Sequence, residues 1–226
     1  MFTELADDLA YGVGTLRARY DREDGLRRLQ SSMEATIQAL AATVERDPYT
    51  AGHQRRVAQL AFAIARELPM DDGRMRGLYL AAVCHDVGKM LVPSEILTKP
   101  GALTPIEFEL IKTHVQAGYE ILKPIDFPWP IAEIVYQHHE RLDGSGYPRG
   151  LENDAILPEA RILMVADVVE AMTSHRPYRP GLGLARALEE VKADRGTRFD
   201  PDVVDVCEGL LAVSGAADEI WATGVE

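Results

Sequence analysis

The feature of this sequence that most restricts its fold is a set of histidines and aspartates standing on helical faces that are otherwise apolar. Val57, Leu60, Ala61, Ile64 and Leu68 repeat at the three- and four-residue spacing of one helix face, and His53 lies four residues before the first of them. His114 shares a stripe with Ile106, Leu110, Ala117 and Ile121. Ile131, Ile134 and Val135 lead to His138, and Asp167 sits four residues after Leu163 and four before Ala171. A fifth apolar segment, residues 75–87, ends in His85-Asp86. Taken singly, His53 reads as a satisfied core histidine. Burying all of these groups unpaired would cost on the order of several kcal/mol, comparable with the stability of a whole domain. The helices must therefore pack so that these groups satisfy one another or hold a ligand.

The 226 residues suffice for one large domain, or one domain with an appendage, and 46% hydrophobic content is that of a packed globule. A formal charge of -12 argues against non-specific binding of polymeric nucleic acid, and an anionic ligand needs locally gathered cations or metals. Cys84 and Cys207 are far apart and not in a metal-knuckle spacing, which fits free buried thiols in a reducing cytosol. No apolar run reaches the ~20 residues of a membrane span, and the N-terminus lacks the regions of a signal peptide. The expectation is a soluble, cytoplasmic chain.

Along the chain, Leu5, Leu9, Leu16 and Tyr20 keep helical spacing, interrupted by Gly12 and Gly14. Leu26, Leu29, Met33, Ile37, Leu40 and Val44 then form one stripe, packed on the chain's own core or paired in a signalling coiled coil. Residues 1–45 read as a helical linker and 46–226 as the functional domain. A helix is expected from near Thr50, broken by Pro69 and Gly73, and another ends at Val87 with Gly88 as its stop. Thr104-Pro105-Ile106-Glu107 reads as a capping box with proline at the first helical position. Pro124, Pro128 and Pro130 mark a loop, and Pro158 opens a strongly apolar helix.

In the stretch His138-His139-Glu140-Arg141-Leu142-Asp143-Gly144-Ser145-Gly146-Tyr147-Pro148, paired imidazoles run into a turn whose glycines can take positive φ. With His53, His85, Asp86, His114 and Asp167 this makes five histidines and two aspartates, a set without thiolate that suits iron, manganese or zinc. Seven ligands are too many for one ion but enough for two sharing a carboxylate, and Asp86 is the expected bridge. Two metals ~3.5 to 4 Å apart turn a shared water into hydroxide near neutral pH for in-line attack on a phosphate ester. Lys89, Arg176 and Arg179 are candidate cations for the phosphoryl oxygens. A solvated Lys89 and surface ion pairs of the two arginines are the plain alternatives.

His85-Asp86-Val87-Gly88-Lys89 and the 138–148 stretch resemble an HD-GYP domain, a branch of the HD phosphohydrolase superfamily. Val165-Ala166-Asp167-Val168, Ala171-Met172-Thr173-Ser174 and Arg176-Pro177-Tyr178-Arg179 match as well, so the likeness runs from about Asp47 to Pro201. It implies an all-α helical bundle and a metal-dependent phosphodiesterase that opens cyclic di-GMP to linear pGpG, sometimes continuing to GMP. Carried over, His53, His85, Asp86 and Asp167 hold one metal, and Asp86, His114, His138 and His139 the other, with iron or manganese expected. Lys89 meets the substrate phosphate, and Gly146, Tyr147, Pro148, Glu170, Arg176 and Arg179 are the implied substrate contacts.

Two positions depart from the family. Tyr49 replaces a glutamate that recruits a third metal in some members, and Glu170 replaces an aspartate that meets a guanine edge. The segment Glu4–Gly12 resembles the closing helix of a GAF sensor, which implies an upstream sensor and a homodimer through the N-terminal helix. Hydrolysis of another cyclic dinucleotide, or a cyclic di-GMP-sensing or protein-interaction module with little turnover, are the competing readings.

Overall fold

The structure, a computed structural model, describes residues 2–44, 52–174, 181–212 and 220–221. Side chains 2–11, 26, 29, 30, 33, 34, 38 and 40–44 lie outside that description, and with them the GAF-like segment before Gly12 and every member of the 26–44 stripe except Ile37. Tyr49, Thr50, Arg176 and Arg179 also lie outside the described residues.

The chain divides into two units, residues 1–39 and 40–226. The first is made of the greater part of α1 (Phe2–Val44), which runs unbroken through Gly12 and Gly14 where an interruption was expected. Each glycine costs a helix about 0.5–1 kcal/mol, too little to break one this long. Its charged run forms ladder pairs, Arg19 with Glu23 at 3.1 Å and Arg28 with Asp24 at 3.1 Å.

The second unit comprises α2 (His53–Arg66), α3 (Asp72–Cys84), a 3-10 turn (Val87–Leu91), α4 (Ser94–Leu97), α5 (Pro105–Leu122), α6 (Ile131–Gln137), α7 (Pro158–Thr173), α8 (Leu184–Ala193) and α9 (Pro201–Leu211). No strand occurs among the described residues, so the all-α expectation holds. Helices α2 and α3 pack on each other and on α7; α6 bridges α3 and α5; α8 and α9 lie on α7. The core is Leu60, Ile64, Leu78, Leu80, Ile131, Ile134 and Leu163, all buried, each contributing roughly 1.5–3 kcal/mol by leaving water.

Three local expectations need revision. Helix α2 starts at His53, after a left-handed Gly52 with φ 79°, rather than near Thr50. Helix α3 ends at Cys84, and the chain tightens into the 3-10 turn instead of stopping at Gly88. On α5 the buried face is His114, Val115, Gly118 and Leu122, while Ile106 is 79% and Leu110 40% exposed. The first turns of α5 run beyond the core, so the apolar periodicity there marks surface. The capping box forms as read: Glu107 N donates to Thr104 Oγ1 at 3.3 Å, and Thr104 N to Glu107 Oε2 at 2.7 Å.

Candidate metal centre

Five elements deliver their polar residues to one place. His53 opens α2, His85 and Asp86 follow α3, His114 comes from the middle of α5, His138 and His139 follow α6, and Asp167 lies inside α7. The switch from α-helix to 3-10 turn at Asp86 aims His85 and Asp86 into the same space. Gly88 then allows the turn to touch α5: a Cβ there would stand 2.0 Å from the His114 carbonyl oxygen and 2.5 Å from Gly118 N. Its glycine is required by close approach, not by a helix stop.

Asp86 faces two groups of histidines. Its Oδ1 is 3.5 Å from His114 Nε2, and its Oδ2 is 3.5 Å from His85 Nε2 and 3.9 Å from His53 Nε2. Asp167 Oδ1 lies 3.3 Å from His53 Nε2 and 3.7 Å from His85 Nε2. The His114 ring is 5.2 Å from that of His139, and the His138 and His139 rings are 4.0 Å apart. Two clusters result, each with ligand atoms mutually within 4.8 Å: His53, His85 and Asp86; and His114, His138 and His139.

Three histidines share one orienting device. His85, His114 and His138 each place Nδ1 2.6–2.7 Å from the backbone carbonyl three residues earlier, of Ala82, Ile111 and Val135. An Nδ1–H donated there leaves Nε2 as a bare lone pair. His85 Nε2, His114 Nε2, His138 Nε2 and Asp86 Oδ1 are all buried without a hydrogen-bond partner. Each such orphan costs about 1–3 kcal/mol, and four in one spot suit a guest that accepts lone pairs.

The electrostatics suit a cation. Burial pushes His138 down to about 3, with His85 and His114 adding to it, and holds His139 well below the usual imidazole range. Burial works to raise Asp86, but Lys89, then His85 and His114, hold its carboxyl well below the usual carboxylate range. Asp167 is likewise held low against its burial, by the His53 hydrogen bond and then the charge of His85. Neutral imidazoles beside ionised carboxylates are the protonation state that a divalent ion requires. His53 differs: burial works against its proton, yet Asp167 and then Glu170 outweigh it and hold the pKa at about 9.

Lys89 Nζ donates to Asp86 Oδ2 at 2.5 Å. Tyr147 stacks on His139 with ring centroids 4.8 Å apart. In the turn, Gly144 has the positive φ of 74°, whereas Gly146 is needed because a Cβ would stand 2.4 Å from the Glu140 and Arg141 backbone. Pro148 is exposed at the end of this turn.

Glu170 is turned to protein groups. It is fully buried; His53 Nδ1 is hydrogen-bonded to its carboxylate, Arg56 Nε donates to Oε1 at 2.6 Å and Ser174 Oγ at 2.5 Å. A carboxylate so engaged orients His53 and is not available to a guanine edge. The sequence reading also gave no role to Glu140, which is buried and accepts from Arg149 N at 2.8 Å and Leu151 N at 2.9 Å, pinning the glycine turn. Its place beside the paired histidines was the one available hint.

Residues 36–203 match the HD domain family, and the chain belongs to it. It is 39% identical over 183 residues to the cyclic di-GMP phosphodiesterase response regulator RpfG of Xanthomonas campestris pv. campestris (strain 8004), covering 80% of this chain and 48% of that protein. It is 37% identical over 171 residues to 3'3'-cGAMP-specific phosphodiesterase 3 of Vibrio cholerae serotype O1, covering 75% of this chain and 37% of that protein. The chain thus spans less than half the length of these relatives. The fold is shared with Bd1817, a HDG"Y"P protein from Bdellovibrio bacteriovorus, at a TM-score of 0.59 and 22% identity over 71% of this chain and 52% of that one. Within the HD domain family, the His85-Asp86 and Gly146-Tyr147-Pro148 motifs are the ones by which the sequence resembles the HD-GYP branch. The donor set fits divalent metal binding, and among the described residues no helix is long and apolar enough to cross a membrane.

Proposed function

We propose that this chain is a metal-dependent phosphodiesterase that opens cyclic di-GMP to the linear dinucleotide pGpG and on to GMP. The observation that carries the reading is the set of four buried, unpartnered donor atoms, with one oxygen of Asp86 turned toward each histidine group. His53, His85, Asp86 and Asp167 would hold one divalent ion, and Asp86, His114, His138 and His139 a second. Bound there, the ions would supply Lewis acidity toward the phosphodiester and lower the pKa of attacking water. The oxygen and nitrogen donors, without thiolate, favour iron or manganese.

The chain's own residues do the rest. The carbonyls of Ala82, Ile111 and Val135 fix three imidazole tautomers. Lys89 shifts between Asp86 and a phosphate oxygen, and Arg176 and Arg179 add cations for the substrate. Tyr147, at the end of the glycine turn, stacks on the His139 ring and holds its plane. Measuring metal by mass spectrometry on anaerobically purified protein, together with chromatography of cyclic di-GMP incubated with it, tests the reading. About two metals per chain with linear product is expected; a metal-free protein that leaves the nucleotide intact would end it.

The similar relative named for 3'3'-cGAMP favours that nucleotide as a second substrate, and competition between the two cyclic dinucleotides separates them. On α1, Val13, Leu16 and Tyr20 are each more than 60% exposed at three- and four-residue spacing, which supports a homodimer through this helix and a role in relaying an upstream signal. A monomeric mass by light scattering would remove the dimer. Two buried free thiols accord with the reducing cytoplasm as its location.

A further inference from the structure

A ladder of rings and one cation leads outward from the metal centre. Tyr147 stacks on His139 at 4.8 Å; Lys112 Nζ is 5.3 Å from the Tyr147 centroid and 5.0 Å from that of Phe108. Phe108 and Lys112 stand four residues apart on α5, on a different face from His114. Phe108 is 45% exposed although it is a large apolar ring next to a polar cluster. The first turns of α5 need no such residue for the core, since that helix buries His114, Val115, Gly118 and Leu122.

A cyclic dinucleotide poses a problem that the metal cluster alone does not solve. It carries two phosphodiesters and two bases, and when one phosphodiester lies over the metals the other lies outside them. With a net charge of -12, the chain offers that second anion little welcome without a local cation.

We propose that Phe108 and Lys112 form an outer subsite for the second nucleotide, with Phe108 stacking its base and Lys112 meeting its phosphate. The proposal rests on the cyclic dinucleotide reading above and adds to it what recognises the half of the substrate that is not being cut. Lys112 now donates to Glu109 Oε1 at 2.7 Å, but Glu109 is 68% exposed, and a surface pair of this kind exchanges readily for a phosphate. Tyr147 already stacks on His139, whereas the Phe108 ring keeps open surface for a base. Base–aromatic stacking tolerates any base, so the subsite grips cyclic di-GMP and 3'3'-cGAMP alike.

The test compares two substrates on metal-loaded protein: cyclic di-GMP, which fills the outer subsite, and bis(p-nitrophenyl) phosphate, which has no second phosphate or base. Phe108→Ala is expected to raise KM for cyclic di-GMP about tenfold, within the range for loss of one base–aromatic stack, and to weaken binding of pGpG in equilibrium dialysis by about the same factor. Phe108→Tyr restores most of it. Lys112→Gln raises KM by about fivefold at low salt and by less at high salt, as a lost phosphate contact should. On bis(p-nitrophenyl) phosphate the losses are smaller by a factor of about five or more. Equal losses on both substrates, or an unchanged KM for cyclic di-GMP in both variants, would overturn the subsite while leaving the phosphodiesterase intact. Wild-type protein that cleaves bis(p-nitrophenyl) phosphate but neither cleaves nor binds any cyclic dinucleotide would overturn the substrate reading, and the subsite with it.

Discussion

The two halves of the candidate metal centre are built on different physics. Around His53 the imidazole is held by side-chain carboxylates, Asp167 on one nitrogen and Glu170 on the other, and its pKa stands at about 9. Around His138 the imidazole is held by a backbone carbonyl, with other imidazoles beyond it, and its pKa stands at about 3. The first half keeps His53 protonated at neutral pH; in the second His138 and His139 are neutral imidazoles with one N–H each. A cation bound beside His53 would have to displace that proton, whereas one beside His138 and His139 would not.

Asp86 belongs to both halves, so its removal should have the largest effect. Asp86→Ala is expected to lose metal and activity together, activity by at least about a thousandfold, read by metal analysis and turnover. Lys89→Ala should instead keep metal and lose rate. Retained metal in the Asp86 variant would break the idea of one shared carboxylate.

Next in size is the junction between the halves. Gly88→Ala puts a Cβ 2.0 Å from the His114 carbonyl, so α5 must move away from Asp86. A loss of roughly 1–3 kcal/mol of stability is expected, with the His114 side losing metal before the His53 side does. Unchanged thermal unfolding and metal content would show that the turn and α5 do not set the spacing.

A milder change separates the halves chemically. Glu170→Gln removes the charge behind His53 but keeps the shape, and should weaken one metal by about 10–100-fold with the other unaffected, measured by metal titration. Equal weakening of both ions would mean that the halves are one unit.

The smallest effect is pH dependence of the metal-free protein. The folded pKa of His53, near 9, lies above the ordinary 6.5, so its contribution to stability is whole below 6.5 and is lost as pH rises through about 9. For His138 the folded value near 3 lies below 6.5, so its contribution is whole above 6.5 and is lost as pH falls toward about 3. Thermal unfolding followed from pH 4 to 10 should therefore weaken on both flanks, the acid flank being reduced by His138→Ala, with His139 and His114 still contributing to it, and the alkaline one reduced by His53→Ala. A single flank would break the comparison.

Much of the centre was legible before any fold was known. His53, His114, His138 and Asp167 betrayed themselves as polar residues on apolar stripes, because helix periodicity is local and a buried polar group is costly wherever it falls. The same periodicity misled on α5, where Ile106 and Leu110 continue the spacing yet lie at the surface. Spacing reports a face, and whether another element covers that face is not written in the segment itself. Gly88 read as a helix stop for a similar reason, since its true neighbour, α5, starts 17 residues later.

The sequence by itself determined the chemistry of the centre: imidazole and carboxylate without thiolate, a lysine three residues after the shared aspartate, and a glycine turn after paired histidines. These are properties of residue type and short spacing, which survive any packing. Only the tertiary structure decided who faces whom. It turned one oxygen of Asp86 toward each histidine group, and it gave Glu170 to His53 across 117 residues of sequence. It also laid Lys112 between Tyr147 and Phe108. Those partnerships depend on how α2, α5 and α7 approach, and such approach is set by the summed fit of many buried side chains that no local pattern encodes.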